Sequence, residues 1–244
     1  MQVRFAGSGD AFGSGGRFQT CIRLAGAGQV LLVDCGATSL VALKSQRLDP
    51  NAVDAVAVTH LHGDHFGGLP LLILDGQFSR RSAPLLIAGP PGIRARLDEA
   101  METLFPGSSR TPRRFRVEVI ELAPDGTPCD LGAATVRGWE VDHACGAPPL
   151  ALRVELGGAT FAYSGDTQWT PALLEAAREA DLFAAEAYTF GRRIRYHLDY
   201  QTLRAHLGDI SAKRVILTHM SADMLGNLSR ADLPAASDGL AIDI

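Results

Sequence analysis

Cysteine is scarce in this sequence. Cys21, Cys35, Cys129 and Cys145 are scattered over 244 residues without a C-x-x-C pair. That pattern excludes a disulfide framework and reads as reduced thiols. Cys145 stands two residues after His143 and reads as a bystander thiol. Long apolar runs are missing too: none reaches the ~18 residues that a membrane-spanning helix needs. The opening "MQVRFAGSG" lacks a charged-then-apolar leader. Basic excess is absent, since 23 Lys and Arg face 27 Asp and Glu for a net charge of −4. Such a balance argues against a surface that clamps nucleic acid over its whole extent. There is no low-complexity segment, linker-like composition shift or tandem period. These absences lead us to expect a soluble cytoplasmic protein, away from membranes, forming one domain over residues 1–244.

What is present suits a large core, with 46% hydrophobic and 20% charged residues. "QVRFAG", "TCIRLAG" and "QVLLVDCG" read as strands, the last two joined by a turn at Gly26–Gly28. Residues 38–47 read as a helix capped by Thr38 or Ser39. "VDAVAVTH" reads as a buried strand, "FGGLPLLILDGQF" as an apolar helix, "APLLIAG" as a strand, and "PPGIRARLDEAMETLF" as a helix with proline in its first turn. Further on, "RVEVIEL", "ATVRGWEVDH", "LALRVEL", "ATFAYSGD", "DLFAAEAY" and "RVILTH" read as strands, and "TPALLEAAREA" as a helix. Each half is a run of strands followed by strand–helix units. The expected class is therefore α/β (α+β), with two mixed sheets packed together and helices outside.

Chemistry concentrates in "VTHLHGDHFGGLP", where His60, His62, Asp64 and His65 follow the buried strand. Side chains two apart share a side of an extended chain, so His60 and His62 can point together. Asp64 and His65 then turn away toward a second ion. Imidazole and carboxylate are both good zinc ligands. His143 ends the strand "WEVDH", Asp166 ends "FAYSGD" and His219 ends "VILTH", repeating the theme. Four strands thus each finish in a candidate ligand, as a site converging from separate strand ends requires.

"THLHGDH", His143, "SGD" and "LTH", in that order, resemble the metallo-β-lactamase superfamily. "LLVDCG", with Asp34, is similar to its first motif, in which an aspartate supports the metal loop. The resemblance implies a four-layer αββα sandwich with two divalent metal ions between the sheets. Zinc is the expected metal and manganese the alternative. By matching motifs, His60, His62 and His143 would hold one ion and Asp64, His65 and His219 the other, with Asp166 bridging. The implied reaction is hydrolysis by a metal-bound hydroxide that Asp64 and Asp166 orient.

Fold does not settle substrate, so other segments must. "THLHGDHFGGLP" and "AGPPGIRARLDEAM" resemble the ribonuclease Z branch. "EAYTFGRRIRYHLD" is similar to that branch's glutamate motif followed by a histidine. Carried over, Glu186 would orient His197, and His197 would protonate a poor leaving group, as phosphodiester hydrolysis requires. Arg192, Arg193 and Arg195 either hold phosphate oxygens or form a solvated loop. "RTPRRFR" (Arg110, Arg113, Arg114, Arg116), Arg80 and Arg81 read as solvated faces. His206 reads as a structural residue inside a helix, and "GSGDAFGSGG" as a turn bordering the cleft.

The sequence departs from ribonuclease Z in lacking the long glycine- and proline-rich arm that grips transfer RNA. Only 22 residues separate His143 from Asp166, enough for two strands and a turn. The expected substrate is accordingly a small or cyclic phosphodiester and not transfer RNA. The short form and "HLD" at residues 197–199 look closer to small phosphodiesterases of the phosphonate pathway, although their structural-zinc cysteines are missing. Hydrolysis of a lactone or thioester, or a metal-containing accessory role without catalysis, are the rival readings. The resemblance also raises a homodimer as an expectation.

Overall fold

Alternation along the strands decides the layering. In a strand, successive side chains point to opposite faces. Leu31 and Val33 enter one apolar cluster while Leu32, between them, enters another. Ala55 and Ala57 likewise part from Val56, and Phe161 and Tyr163 from Ala162. Both faces of these strands are buried, so they read as continuous apolar runs.

The computed structural model describes residues 1–244. Its first sheet contains β1 (Gln2–Gly7), β2 (Cys21–Gly26), β3 (Gln29–Val33), β4 (Ala55–Ala57), β5 (Leu85–Gly89), β6 (Val117–Glu121) and β13 (Ala241–Asp243). Their spatial order is β13-β1-β2-β3-β4-β5-β6. The second contains β7 (Cys129–Leu131), β8 (Ala134–Glu140), β9 (Leu150–Leu156), β10 (Ala159–Tyr163), β11 (Leu182–Glu186) and β12 (Val215–Thr218), ordered β12-β11-β10-β9-β8-β7. Each sheet is mixed. Neighbours are antiparallel along β13-β1-β2-β3 and β7-β8-β9-β10, and parallel along β3-β4-β5-β6 and β10-β11-β12.

One apolar cluster, including Phe5, Leu24, Leu152, Val154 and Tyr163, lies between the sheets. A second backs the first sheet with α1 (Ser39–Ser45), α3 (Leu69–Phe78) and α4 (Ile93–Leu104). A third backs the other sheet with α5 (Ala172–Ala177), α6 (Tyr200–Ala205) and α7 (Ala222–Gly226). The result is the expected αββα layering. Full burial of each large side chain in these layers contributes roughly 1.5–3 kcal/mol. No helix is long and apolar enough to cross a membrane.

Several expected boundaries move. β4 ends at Ala57, because the Thr59 amide turns to the Asp34 carboxylate instead of continuing a ladder. β8 ends at Glu140, so His143 lies on the loop beyond it. Pro90 and Pro91 precede α4, whose N-cap is Gly92. β7 and β13 are three-residue strands whose periodicity is too short to read. Arg81 is a correction: it is buried, and its guanidinium donates to the carbonyls of Ala83, Asn51, Val53 and Pro84. It ties two loops together and is not a solvated charge. His206 is another, since α6 ends before it and it stacks on Trp169 at the helix C-cap.

Candidate metal centre

The parallel strands of both sheets deliver their carboxyl ends to one edge. Asp34 follows β3, and the histidine loop follows β4. Asp166 lies just past β10, Glu186 ends β11 and His219 follows β12. Ligand sites in open α/β sheets lie outside such ends.

Asp34 organises the first-sheet half. It is fully buried and has a left-handed φ of 62°. Its carboxylate accepts from the Thr59 amide at 2.7 Å and hydroxyl at 2.9 Å, and meets His65 Nδ1 at 2.6 Å. A carboxylate can only accept, so Nδ1 carries the proton and Nε2 faces the cluster. Gly36 permits this packing, since a Cβ there would sit 2.2 Å from the Asp64 carbonyl oxygen. After His62 the chain makes a four-residue helix, α2 (Gly63–Phe66), which swings Asp64 and His65 away from His60 and His62.

His60, His62 and His143 bring one nitrogen each within 4.8 Å of one another. His143 Nδ1 donates to the Tyr196 carbonyl at 2.9 Å, leaving its Nε2 3.0 Å from His62 Nδ1. Asp64, His65, Asp166 and His219 form a second such group, with His65 Nε2 3.2 Å from both Asp64 and Asp166. His219 Nε2 lies 3.2 Å from Asp64. Asp166 therefore sits with the second group. A third, overlapping group joins Asp166 and His219 to Glu186 and His197. Most of its donor capacity is already committed. Glu186 accepts from the amides of Thr167 and Leu198 and meets His197 Nδ1 at 2.6 Å.

The electrostatics fit a cation. Burial raises the Asp64 and Asp166 carboxyl pKa values, but the charges of His65 and His219 hold both well below the usual carboxylate range. Burial depresses His219, yet the nearby carboxylates of Asp166, Asp64 and Glu186 raise it to about 10. Burial together with the His65 charge pushes His60 well below an ordinary histidine. Buried carboxylates are thus balanced only by protonated histidines, a role that divalent ions can take over. His60 Nε2, Asp166 Oδ1 and His219 Nδ1 are buried without any hydrogen-bond partner. Native proteins rarely leave such atoms orphaned. The donor set of imidazoles and carboxylates suits zinc and similar ions.

The chain matches, over residues 1–233, the family described as anti-Pycsar protein Apyc1. It belongs to that family. Relatives of this Apyc1-family chain include ribonuclease Z of Methanosarcina acetivorans, 25% identical over 91% of this chain and 88% of the relative. Ribonuclease Z of Pediococcus pentosaceus is 26% identical over 94% and 91%. The human short-form tRNase Z superposes with a TM-score of 0.81 at 26% identity, covering 100% of this chain and 99% of that one. A diphosphatase of the PhnP family shares the fold at a TM-score of 0.77 and 17% identity, covering 100% and 97%. The Apyc1-family chain is accordingly a ribonuclease Z-like member of the metallo-β-lactamase superfamily.

All seven residues expected as metal ligands converge, and Glu186 and His197 border them. Cys145 stays out, its thiol turned to the Ala147 carbonyl. The cavity of about 210 Å³ between the clusters is also lined by Ala11 and Phe12, from the glycine-rich loop expected to border the cleft, and by Tyr188, which the sequence does not mark. Tyr188 stacks on His197, with ring centroids 4.5 Å apart. Phe12 is 84% exposed on the glycine-rich loop, which the Asp10 carboxylate holds by accepting from the Ser14 amide and hydroxyl. An exposed phenylalanine in a glycine-rich loop carries no periodic signal.

Proposed function

We propose that the protein is a two-metal phosphodiesterase acting on small or cyclic phosphodiesters. The observation that carries this reading is the Glu186–His197 pair at 2.6 Å, set beside the two ligand clusters. His60, His62 and His143 would hold one ion, and Asp64, His65 and His219 the other, with Asp166 between them. When bound, such ions would polarise a phosphoryl oxygen and lower the pKa of water toward about 7. Asp64 and Asp166 accept hydrogen bonds from the attacking water and aim it at phosphorus. As the new P–O bond forms, the bond to the leaving oxygen breaks and His197 Nε2 protonates that oxygen.

The chain equips His197 for this. Burial lowers its pKa, but the hydrogen bond and charge of Glu186, with Asp166 nearby, raise it overall and favour the imidazolium. Its Nδ1 is fixed on Glu186, so Nε2 is the nitrogen free to donate. Leaving alkoxides need such a donor, while thiolates leave readily without one.

The small-substrate part of the proposal draws on what the chain lacks. Its alignment with Methanosarcina ribonuclease Z extends over 276 positions, more than its own 244 residues, so the relative has segments this chain does not. Between His143 and Asp166 lie only a loop and the β9–β10 hairpin, closed at Gly157–Gly158.

The test is a panel on metal-replete protein: a bis-aryl phosphate, 2′,3′-cyclic nucleotides, a thioester, a lactone and a β-lactam. Turnover of the phosphodiesters is expected. Reaction of only the thioester or lactone would replace this reading, and reaction of none would favour an accessory role.

A further inference from the structure

Two loops meet beside the clusters, and one side chain joins them. The loop after β8 carries Asp142 and His143. The loop after β11 carries Tyr196 and His197. Its ends are anchored by the Tyr188 amide on the Leu198 carbonyl and the Tyr200 amide on the Thr189 carbonyl, both at 2.8 Å. Between the two loops runs the segment after β10, Asp166, Thr167 and Gln168. The Thr167 amide donates to Glu186 at 3.0 Å, and its hydroxyl oxygen accepts from the Asp142 amide at 3.0 Å. The Gln168 amide donates to the Asp142 carbonyl at 3.2 Å.

The Gln168 side chain reaches across. Its Nε2 donates to the Asp142 carboxylate, and its Oε1 accepts from the Tyr196 amide at 3.4 Å. A carboxylate only accepts and a backbone N–H only donates, so the carboxamide fits one way round. The Tyr196 carbonyl in turn accepts from His143 Nδ1 at 2.9 Å. Tyr196 has a left-handed φ of 71°, a conformation that persists only where surrounding contacts impose it. A closed ring results, from Asp142 and His143 through Tyr196 to Gln168 and back. Neither Asp142 nor Gln168 lines the metal-facing cavity, whereas His143 and His197 both do. The ring therefore acts through the two histidines.

We propose that Gln168 is a positioning residue that couples the three-histidine cluster to His197. The proposal rests on the two-metal phosphodiesterase reading, which gives His197 a proton to deliver. A histidine that binds an ion through Nε2 donates through Nδ1 to a fixed acceptor, here the Tyr196 carbonyl. An ion held by His60, His62 and His143 favours the loop conformation that offers this carbonyl, and by linkage the loop favours the ion. Gln168 holds Tyr196 by its amide, so His197, the next residue, is set in place once the ion is bound.

The loop supplies its own reporter, because Arg192, Arg193 and Arg195 are exposed and open to trypsin. The protein is digested with and without saturating zinc, and cleavage after these three residues is followed by mass. Zinc is expected to slow it about tenfold in wild type, the size of one net hydrogen bond. Gln168→Glu sets two carboxylates against each other and should abolish the protection while zinc stays bound. It should also cost about tenfold on alkyl leaving groups and little on activated aryl esters, as a misplaced donor would. Gln168→Glu with Asp142→Asn restores the bond with donor and acceptor exchanged, and both effects should reverse. Equal protection in wild type and Gln168→Glu, equal losses on both classes of ester, or no recovery in the double variant would overturn the proposal. Protection that follows the carboxamide in a protein turning over no phosphodiester would refute the phosphodiesterase reading and, with it, the link to proton delivery.

Discussion

The two halves of the site are built differently. On the first sheet, His60, His62, Asp64 and His65 lie within one short loop, and Asp34 locks it through Thr59 and His65. On the second sheet, His143, Asp166, Glu186, His197 and His219 come from separate segments and meet only when the sheet and its loops are complete. The first half is positioned locally and supplies candidate ligands. The second depends on tertiary packing, and it adds the Glu186–His197 pair that the proposed chemistry requires. Left-handed backbone at Asp34 on one side and at Tyr196 and His219 on the other shows strain held at the same edge in both halves.

The largest expected effect comes from removing a residue on which both halves converge. Asp64 contacts His65 from its own loop and His219 from the other sheet. Asp64→Asn is expected to lower phosphodiester turnover by about 10³-fold or more, together with metal content. A variant retaining tenth-normal activity would separate Asp64 from the chemistry.

Next is the second half alone. His197→Ala should cost about 10²–10⁴-fold on alkyl leaving groups and little on activated aryl esters, with metal content unchanged. Equal losses on both substrates would remove the proton-donor role. Asp34→Ala probes the first half alone. It frees His65 from its orienting carboxylate and should weaken metal affinity about 10–100-fold, measured by competition with a chelator. An unaltered affinity would mean that the loop holds its shape without Asp34.

The smallest effect concerns pH in metal-free protein. His219 is raised in the fold from an ordinary 6.5 to about 10. Its contribution to stability is full below pH 6.5 and is lost as pH rises through about 10. Thermal melts of chelator-treated protein should show that decline, and His219→Asn should flatten it. An identical slope in the variant would assign the decline to other groups.

This contrast also explains what the sequence makes legible. The first half can be read directly, because its candidate ligands lie together after an apolar strand. The second half can be found only as single residues beyond strands, and the motif order joins them. Tyr188 escapes because neither type nor spacing marks it, and for Phe12 only its loop is marked; a cavity wall is a property of the fold. Arg81 misleads for a related reason. Beside Arg80 it looks like a surface charge, yet four carbonyls of neighbouring loops surround it. β7 and β13 are too short for periodicity, and partner strands define them.

The central claim is that both clusters hold metal and act together on a phosphodiester. Metal-free protein titrated with zinc, with bis-aryl phosphate hydrolysis followed at each addition, tests it most directly. The account predicts activity that rises until close to two equivalents per chain are bound. Saturation at one equivalent, or two bound ions with no hydrolysis, would contradict it.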